Sequence, residues 1–170
     1  KTRRFLMLNK DLLDEHDLPI PYDWTWEELQ EYAEKLTTSD RYGFLQNEAN
    51  LRLGLTSTLE ELGYTKDDGT SNFDNELAKK YLRILKDMMD NGSLMPYGEQ
   101  VAKGSQYSEI AMFLQGQAAM VSGETHFFRY SNNLEEYPRD FKIAFAPIPG
   151  IDKPTTESKY PGSNGDMVSI

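Results

Sequence analysis

The side chains best suited to bind a hydroxylated ligand lie at three places next to predicted strands. The three sets are Gln46, Asn47 and Glu48; Glu124, Thr125, His126 and Phe127; and Ser163, Asn164 and Gly165. Amide, carboxylate, imidazole and hydroxyl groups exchange hydrogen bonds with such a ligand, and an aromatic ring covers its apolar face. Ligands of open α/β sheets bind beyond the carboxyl ends of the strands. We therefore expect these sets to bind a small polar solute, with residues 124–127 as the strongest candidate.

Two of these sets also have an ordinary structural explanation. Asn47 and Glu48 suit the start of a helix as well as a ligand. The loop from Gly162 to Gly165 is equally typical of a plain turn. Both alternatives stay open. Trp24 and Trp26 could form an aromatic binding platform, but at the start of a helix we expect them to pack in the core.

Catalysis and metal binding have little support in the residue types. The chain has no cysteine and two histidines, and it lacks a GxSxG elbow and a phosphate-binding glycine loop. Glu124 and Asp166 could act as the acid and base of glycoside hydrolysis, but 28 acidic residues make such pairs easy to find. The loop from Asp67 lacks the glycine and glutamate of a calcium loop, having Asn72 and Ala78 at those positions. We expect no enzyme activity, no cofactor and no metal.

Composition narrows the remaining function classes. The 170 residues suit one domain, 1–170, and the net charge of −10 opposes binding to nucleic acid. No apolar run approaches the roughly 18 residues that a membrane span needs. We expect a soluble piece excised from a larger protein, because the chain begins with lysine and ends inside a predicted strand.

Short apolar runs alternate with amphipathic helices, which indicates an α/β fold. Strands are predicted at residues 5–8, at 42–45, at 118–121 before Ser122-Gly123, at 141–145, and at 167–170 where the chain ends. In the strand at 141–145, Phe141, Ile143 and Phe145 alternate with Lys142 and Ala144, which is typical of a half-buried strand. Helices are predicted from Trp26 with a Thr25–Glu28 capping box, around Leu51 to Leu62, after Asp74 or Asn75, and at 110–114. The helix after Asn75 is expected to bury Ala78, Tyr81, Leu82, Leu85, Met88 and Met89.

Five short motifs occur in an order that resembles one family. They are LNKD at 8–11, TWEEL at 25–29, YGF at 42–44, GQAAM at 116–120 and PIPG at 147–150. In this order they resemble the extracellular solute-binding proteins of ABC importers, in the carbohydrate-binding group (bacterial extracellular solute-binding protein family 1). Each motif alone is weak, whereas the ordered set extends over nearly the whole chain.

The resemblance implies a helix-rich lobe of a class II periplasmic-binding-protein-like receptor, with a small mixed sheet flanked by helices. Such a receptor closes its two lobes around a sugar or oligosaccharide and delivers it to ABC permease subunits. The resemblance also implies a monomer at the extracellular face, lipid-anchored, or in the periplasm. As one lobe offers half of the contacts, we expect the isolated chain to fold but to bind sugar weakly.

The resemblance also implies an aromatic residue soon after the GQAAM strand that stacks on a sugar ring. Thr125 stands where the family often has tryptophan, so stacking passes to His126 or Phe127. Two other functions compete with this one: a carbohydrate-active enzyme, and an interaction domain that uses the acidic helix face of Glu27, Glu31 and Glu34. A receptor lobe should gather Gln46, His126 and Asn164 at one concave edge, whereas an interaction domain should expose a contiguous apolar patch.

Overall fold

The computed structural model describes residues 4–46, 54, 55, 59, 62–103 and 108–154. In chain order its elements are β1 Arg4–Asn9, α1 Lys10–Glu15, α2 Trp26–Leu36, β2 Tyr42–Leu45, α3 Glu76–Asp90, α4 Tyr97–Ala102, α5 Ser108–Leu114, β3 Ala118–Glu124, a 3-10 turn Thr125–Phe127, α6 Phe128–Ser131 and β4 Ile143–Ala146. Between β2 and α3, Gly54, Leu55, Leu59 and Leu62 are helical, and the rest of 47–61 lies outside the described residues. The predicted strand at 167–170 also lies outside them.

The four strands form one mixed sheet in the order β2-β3-β1-β4. β2 runs parallel to β3, whereas β1 is antiparallel to both β3 and β4. The predicted small mixed sheet is therefore confirmed. Because β2 and β3 are parallel, their carboxyl ends lie at the same end of the sheet, and β1 begins there.

Each face of the sheet carries its own apolar cluster. The first cluster contains Leu6, Leu8, Phe44 and Met120 from the strands, together with side chains of α2 and α3. The second joins Met7, Leu45 and Val121 to α5. This separation follows from strand geometry, since consecutive side chains point to opposite faces.

The two tryptophans belong to the first cluster, which confirms that they pack in the core. Trp26 is fully buried with its ring 4.8 Å from that of Tyr81, and Trp24 donates from Nε1 to the Pro147 carbonyl at 2.9 Å. The amide of Trp26 also donates to the Gly150 carbonyl at 2.9 Å. These bonds hold the TWEEL and PIPG motifs together although over 100 residues separate them.

The local signals for helix ends are confirmed. Thr25 and Glu28 form the capping box, with the Thr25 amide 2.7 Å from Glu28 Oε2. Asn75, rather than Asp74, caps α3 by accepting from the Ala78 amide at 2.8 Å. Gly92 follows α3 with a φ of 79°, the conformation that ends many helices.

Three details of the sequence prediction are wrong. Leu82 is 51% exposed, because it lies about 100° around α3 from Tyr81, which is buried. β3 does not end at Ser122-Gly123 but continues to Glu124, since the last two residues still pair with β1. In β4 the buried side chains are the small Ala144 and Ala146, whereas Phe145 is 45% exposed.

The close approach of β2 to α2 generates a stability prediction. A Cβ on Gly43 would lie 2.0 Å from the Ala33 carbonyl oxygen, so Gly43→Ala must push the two elements apart. We expect it to lower the free energy of unfolding by about 3 kcal/mol. Gly98→Ala is the matched control, because its Cβ meets nothing within 4 Å and lies on a helix. It should be neutral or stabilise by up to about 1 kcal/mol.

Urea unfolding followed by the fluorescence of the two buried tryptophans measures both variants. Equal stability of the two variants would contradict this packing.

Candidate functional site

Polar side chains gather at the end of the sheet where β2 and β3 finish. Arg4 opens β1 opposite Glu124, the last residue of β3. Gln46 follows β2, and the register continued by one residue places it beside Ser122. We call Arg4, Gln46, Ser122, Glu124 and His126 the polar row. It lies at the carboxyl ends of the parallel strands, where ligands of α/β proteins bind.

Within the polar row, Arg4 of β1 and Glu124 of β3 form an ion pair between adjacent strands. Arg4 Nε lies 3.1 Å from Glu124 Oε1, and the two side chains are 9% and 25% exposed. His126 follows on the 3-10 turn, with Nδ1 3.7 Å from Glu124 Oε2 and 37% of its side chain exposed. Thr125 beside it is exposed. Glu124, Thr125 and His126 thus form the accessible part of the predicted set.

Gln46 lies inside the wall of the site. It is 1% exposed, its side chain hydrogen-bonds to Tyr81, and its backbone carbonyl accepts from Gln100 Nε2 at 3.0 Å. Burial raises the pKa of the Tyr81 phenol, which therefore stays neutral. The expectation that Gln46 meets a ligand directly does not fit this burial; Gln46 fixes the wall behind the site.

Phe127 does not offer a stacking surface, which corrects one of the two proposed aromatic roles. It is 2% exposed and belongs to the second apolar cluster. A Cβ on Gly123 would lie 2.8 Å from its ring, so glycine at that position makes room for Phe127. His126 meets the Phe127 ring edge-on, with centroids 4.7 Å apart. Of the two candidates, only His126 is accessible.

An aromatic patch, formed by Phe5, Phe128 and Phe145, borders the site on the face of the second cluster. The ring centroids lie 5.2 to 5.5 Å apart, and Phe128 and Phe145 are 40% and 45% exposed. Neither this patch nor Arg4 was predicted from the sequence. Both depend on the pairing of β1 with β3 and β4, which a single sequence does not reveal.

The other predicted site residues lie outside the described part of the chain. They are Asn47, Glu48, Ser163, Asn164 and Gly165, together with Asp166 of the possible carboxylate pair. Their contribution to the site stays a prediction.

A polar cavity with a volume of about 380 Å³ lies at the opposite end of β2 from the polar row. Tyr42 donates to Glu99 Oε2 at 2.6 Å on its wall, and Arg41, Lys103 and Gln117 also line it. Burial, followed by the hydrogen bond and charge of Glu99, raises the pKa of Tyr42 to about 12. Tyr42 is therefore a neutral donor at physiological pH, and its bond ties α4 to the sheet.

The described residues contain neither a cluster of metal ligands nor a membrane-spanning helix. Within ranges 4–46, 62–103 and 108–154 and the isolated described positions, no three acidic, histidine or cysteine side chains converge as metal ligands. None of the helices in that part of the chain is long and apolar enough to cross a bilayer.

Comparison with known proteins identifies the family. The family model described as bacterial extracellular solute-binding protein matches residues 1–165. This chain belongs to the bacterial extracellular solute-binding proteins. No protein with a curated description matches it.

Solved structures share the fold. An ABC transporter solute-binding protein from Agrobacterium vitis S4, with bound D-mannitol, is 23% identical with a TM-score of 0.71, and the match covers 88% of this chain and 37% of that one. The maltose-bound MalE3 of T. maritima is 23% identical with a TM-score of 0.69, and the match covers 88% of this chain and 39% of that one. An ABC substrate-binding protein from Listeria monocytogenes in complex with cycloalternan is 20% identical with a TM-score of 0.67. That match covers 88% of this chain and 37% of the other.

These neighbours are two-lobed proteins, and this solute-binding chain spans about two-fifths of their length. At such identity they establish the fold, which confirms the expected class of a periplasmic-binding-protein-like lobe. They do not assign a ligand to this member of the family.

The contrasting environments of two adjacent phenylalanines give a prediction. Phe127→Ala removes a ring from the core and should destabilise the chain by about 3–5 kcal/mol. Phe128→Ala removes a ring that is 40% exposed and should cost less than about 1.5 kcal/mol. Chemical denaturation of both variants checks this assignment. A larger loss for Phe128→Ala than for Phe127→Ala would show that the wrong ring is placed in the core.

Proposed function

We propose that this chain is the larger part of one lobe of an ABC importer's substrate-binding component, which captures a sugar, a sugar alcohol or an oligosaccharide. One observation carries the proposal: Glu124, Thr125 and His126 are accessible at the carboxyl end of β3, braced from behind by Arg4. The family membership and the ligands of its structural neighbours, D-mannitol, maltose and cycloalternan, support it.

The chemistry of the site suits a ligand rich in hydroxyl groups. The Glu124 carboxylate accepts hydrogen bonds, Thr125 donates and accepts, and the His126 imidazole does either and offers a ring face. Asn47, Glu48, Ser163, Asn164 and Gly165 remain proposed ligand contacts. A second lobe would supply the facing contacts, and the ligand would favour the closed arrangement because it touches both lobes there.

The remaining features follow from this role. The intact protein would work as a monomer outside the cytoplasm, either in the periplasm or held at the membrane by a lipid anchor, and would pass its ligand to permease subunits. The family description as extracellular supports this location. We propose binding without catalysis.

A protein-contact role is the second candidate, and the aromatic patch favours it. Exposed, contiguous phenylalanines are typical of a surface that another polypeptide covers. The acidic face of α2 is a poorer candidate, because Glu27 pairs with Lys80 at 3.1 Å and Glu34 accepts from Asn91 at 2.8 Å. The patch borders the proposed ligand site, so both roles are compatible in one protein.

A thermal-shift screen of the intact protein against sugars and sugar alcohols tests the proposal. We expect a saturable rise in Tm for at least one of them, because a ligand that binds only the folded state stabilises it. The isolated chain should respond far less, since it has one lobe. Product analysis of each hit is the control: unchanged sugar supports a transport receptor, hydrolysed sugar an enzyme, and no shift across the panel contradicts sugar binding.

A further inference from the structure

We propose that Arg4 is a positioning residue for ligand binding, which holds the Glu124 carboxylate so that Oε2 accepts a hydrogen bond from an uncharged hydroxyl group. The inference rests on the proposed function and extends it to a residue that the ligand does not touch. It also excludes an anionic group from the part of the ligand that faces Glu124.

The position of Arg4 pairs its guanidinium with the Glu124 carboxylate. Arg4 is 9% exposed and stands directly opposite Glu124 at the last pair of β1 and β3, with Nε 3.1 Å from Oε1. A buried guanidinium loses hydration that only a close partner replaces, so this ion pair is costly to break from either side. Arg4 therefore fixes the Glu124 side chain, which could otherwise rotate at the end of a strand.

The second oxygen of Glu124 is left for a ligand. Oε2 lies 3.7 Å from His126 Nδ1, too far for a strong hydrogen bond, and the side chain is 25% exposed. An ionised carboxylate has about four acceptor positions, of which Arg4 takes one. A donor that approaches from the His126 side therefore finds a fixed, charged acceptor, and charge-assisted hydrogen bonds are stronger than neutral ones.

The surrounding charges oppose an anionic group at this position. The Arg4 guanidinium is buried against Glu124, and the guanidinium of Arg129 on the neighbouring α6 lies 5.3 Å from the Tyr130 ring, over its face. An anionic group beside Oε2 would meet a carboxylate in a chain of net charge −10. A sugar hydroxyl fits this position, and a uronate or a phosphate does not.

The test measures the affinity of the intact protein for its best sugar and for the set of monodeoxy analogues of that sugar, by calorimetry. Glu124→Gln identifies the hydroxyl that faces Oε2. Loss of that hydroxyl from the sugar weakens its binding to the wild type but leaves its binding to Glu124→Gln unchanged. Arg4→Met is then measured with the parent sugar and that analogue. Lys10→Met is the control, because it removes a surface ion pair with Asp14 at the other end of β1.

We expect Arg4→Met to weaken parent-sugar binding by about tenfold to a hundredfold, the range of one charge-assisted hydrogen bond, and to abolish discrimination against the deoxy analogue. Arg4→Lys should restore part of that discrimination, and Lys10→Met should change nothing. If Arg4→Met weakens both ligands equally, or neither, Arg4 has no positioning role.

Thermal unfolding without ligand shows whether each variant is folded. If Arg4→Met is not folded, the same affinities are measured with Arg4→Lys instead. Tighter binding of the matching uronate than of the neutral sugar would overturn the exclusion of an anionic group. Absence of sugar binding by the wild type would instead overturn the proposed function itself, and this inference with it.

Discussion

The antiparallel pairing of β1 with β3 is the contact on which the rest of the structure depends. It joins Arg4 to Glu124 across 120 residues and places β1 in the middle of the sheet, between β3 and β4. A shift of this register by one residue would turn every side chain of β1 to the other face. Arg4 would then leave Glu124, and Leu6 and Leu8 would leave the first apolar cluster. The same pairing therefore determines the core and the site.

The two clusters make the sheet a rigid support for the site. α2 and α3 cover one face through Trp26 and Tyr81, whereas α5 covers the other through Phe113. Side chains that bind ligands are held best when they project from such packed elements. Glu124 belongs to β3 itself, and His126 lies two residues beyond it, on a turn whose next residue, Phe127, is buried. Fixed polar groups at the surface thus depend on apolar packing directly below them.

Local sequence signals predicted much of the fold, because their causes are local. Thr25 and Glu28 are three residues apart, and Gly92 ends α3 by its own backbone conformation. The wrong predictions concern residues whose burial depends on contacts that are distant in the sequence. Gln46 is buried by Tyr81 and Gln100, and the Phe145 side of β4 is set by pairing with β1. Arg4 showed no signal at all, since its partner is remote in sequence.

Residues 124–127 lie where their position after the GQAAM motif predicted, at the end of β3 and on the turn that follows, at the carboxyl edge of the sheet. Their role in ligand binding stays a prediction. The motif did not predict which side chain is accessible. Phe127 fills the space above Gly123, so the accessible groups are Glu124, Thr125 and His126. Which side chains of residues 124–127 are accessible depends on packing, which a short sequence motif does not encode.

Hydrogen–deuterium exchange of the intact protein, with and without a saturating sugar, shows at which end of the sheet the sugar binds. The sheet has two polar ends: the polar row, and the cavity around Tyr42 and Glu99. We expect sugar to slow amide exchange at residues 124–128 and to leave exchange at residues 38–42 and 97–103 unchanged. Protection at the Tyr42 end, with none at residues 124–128, would contradict it.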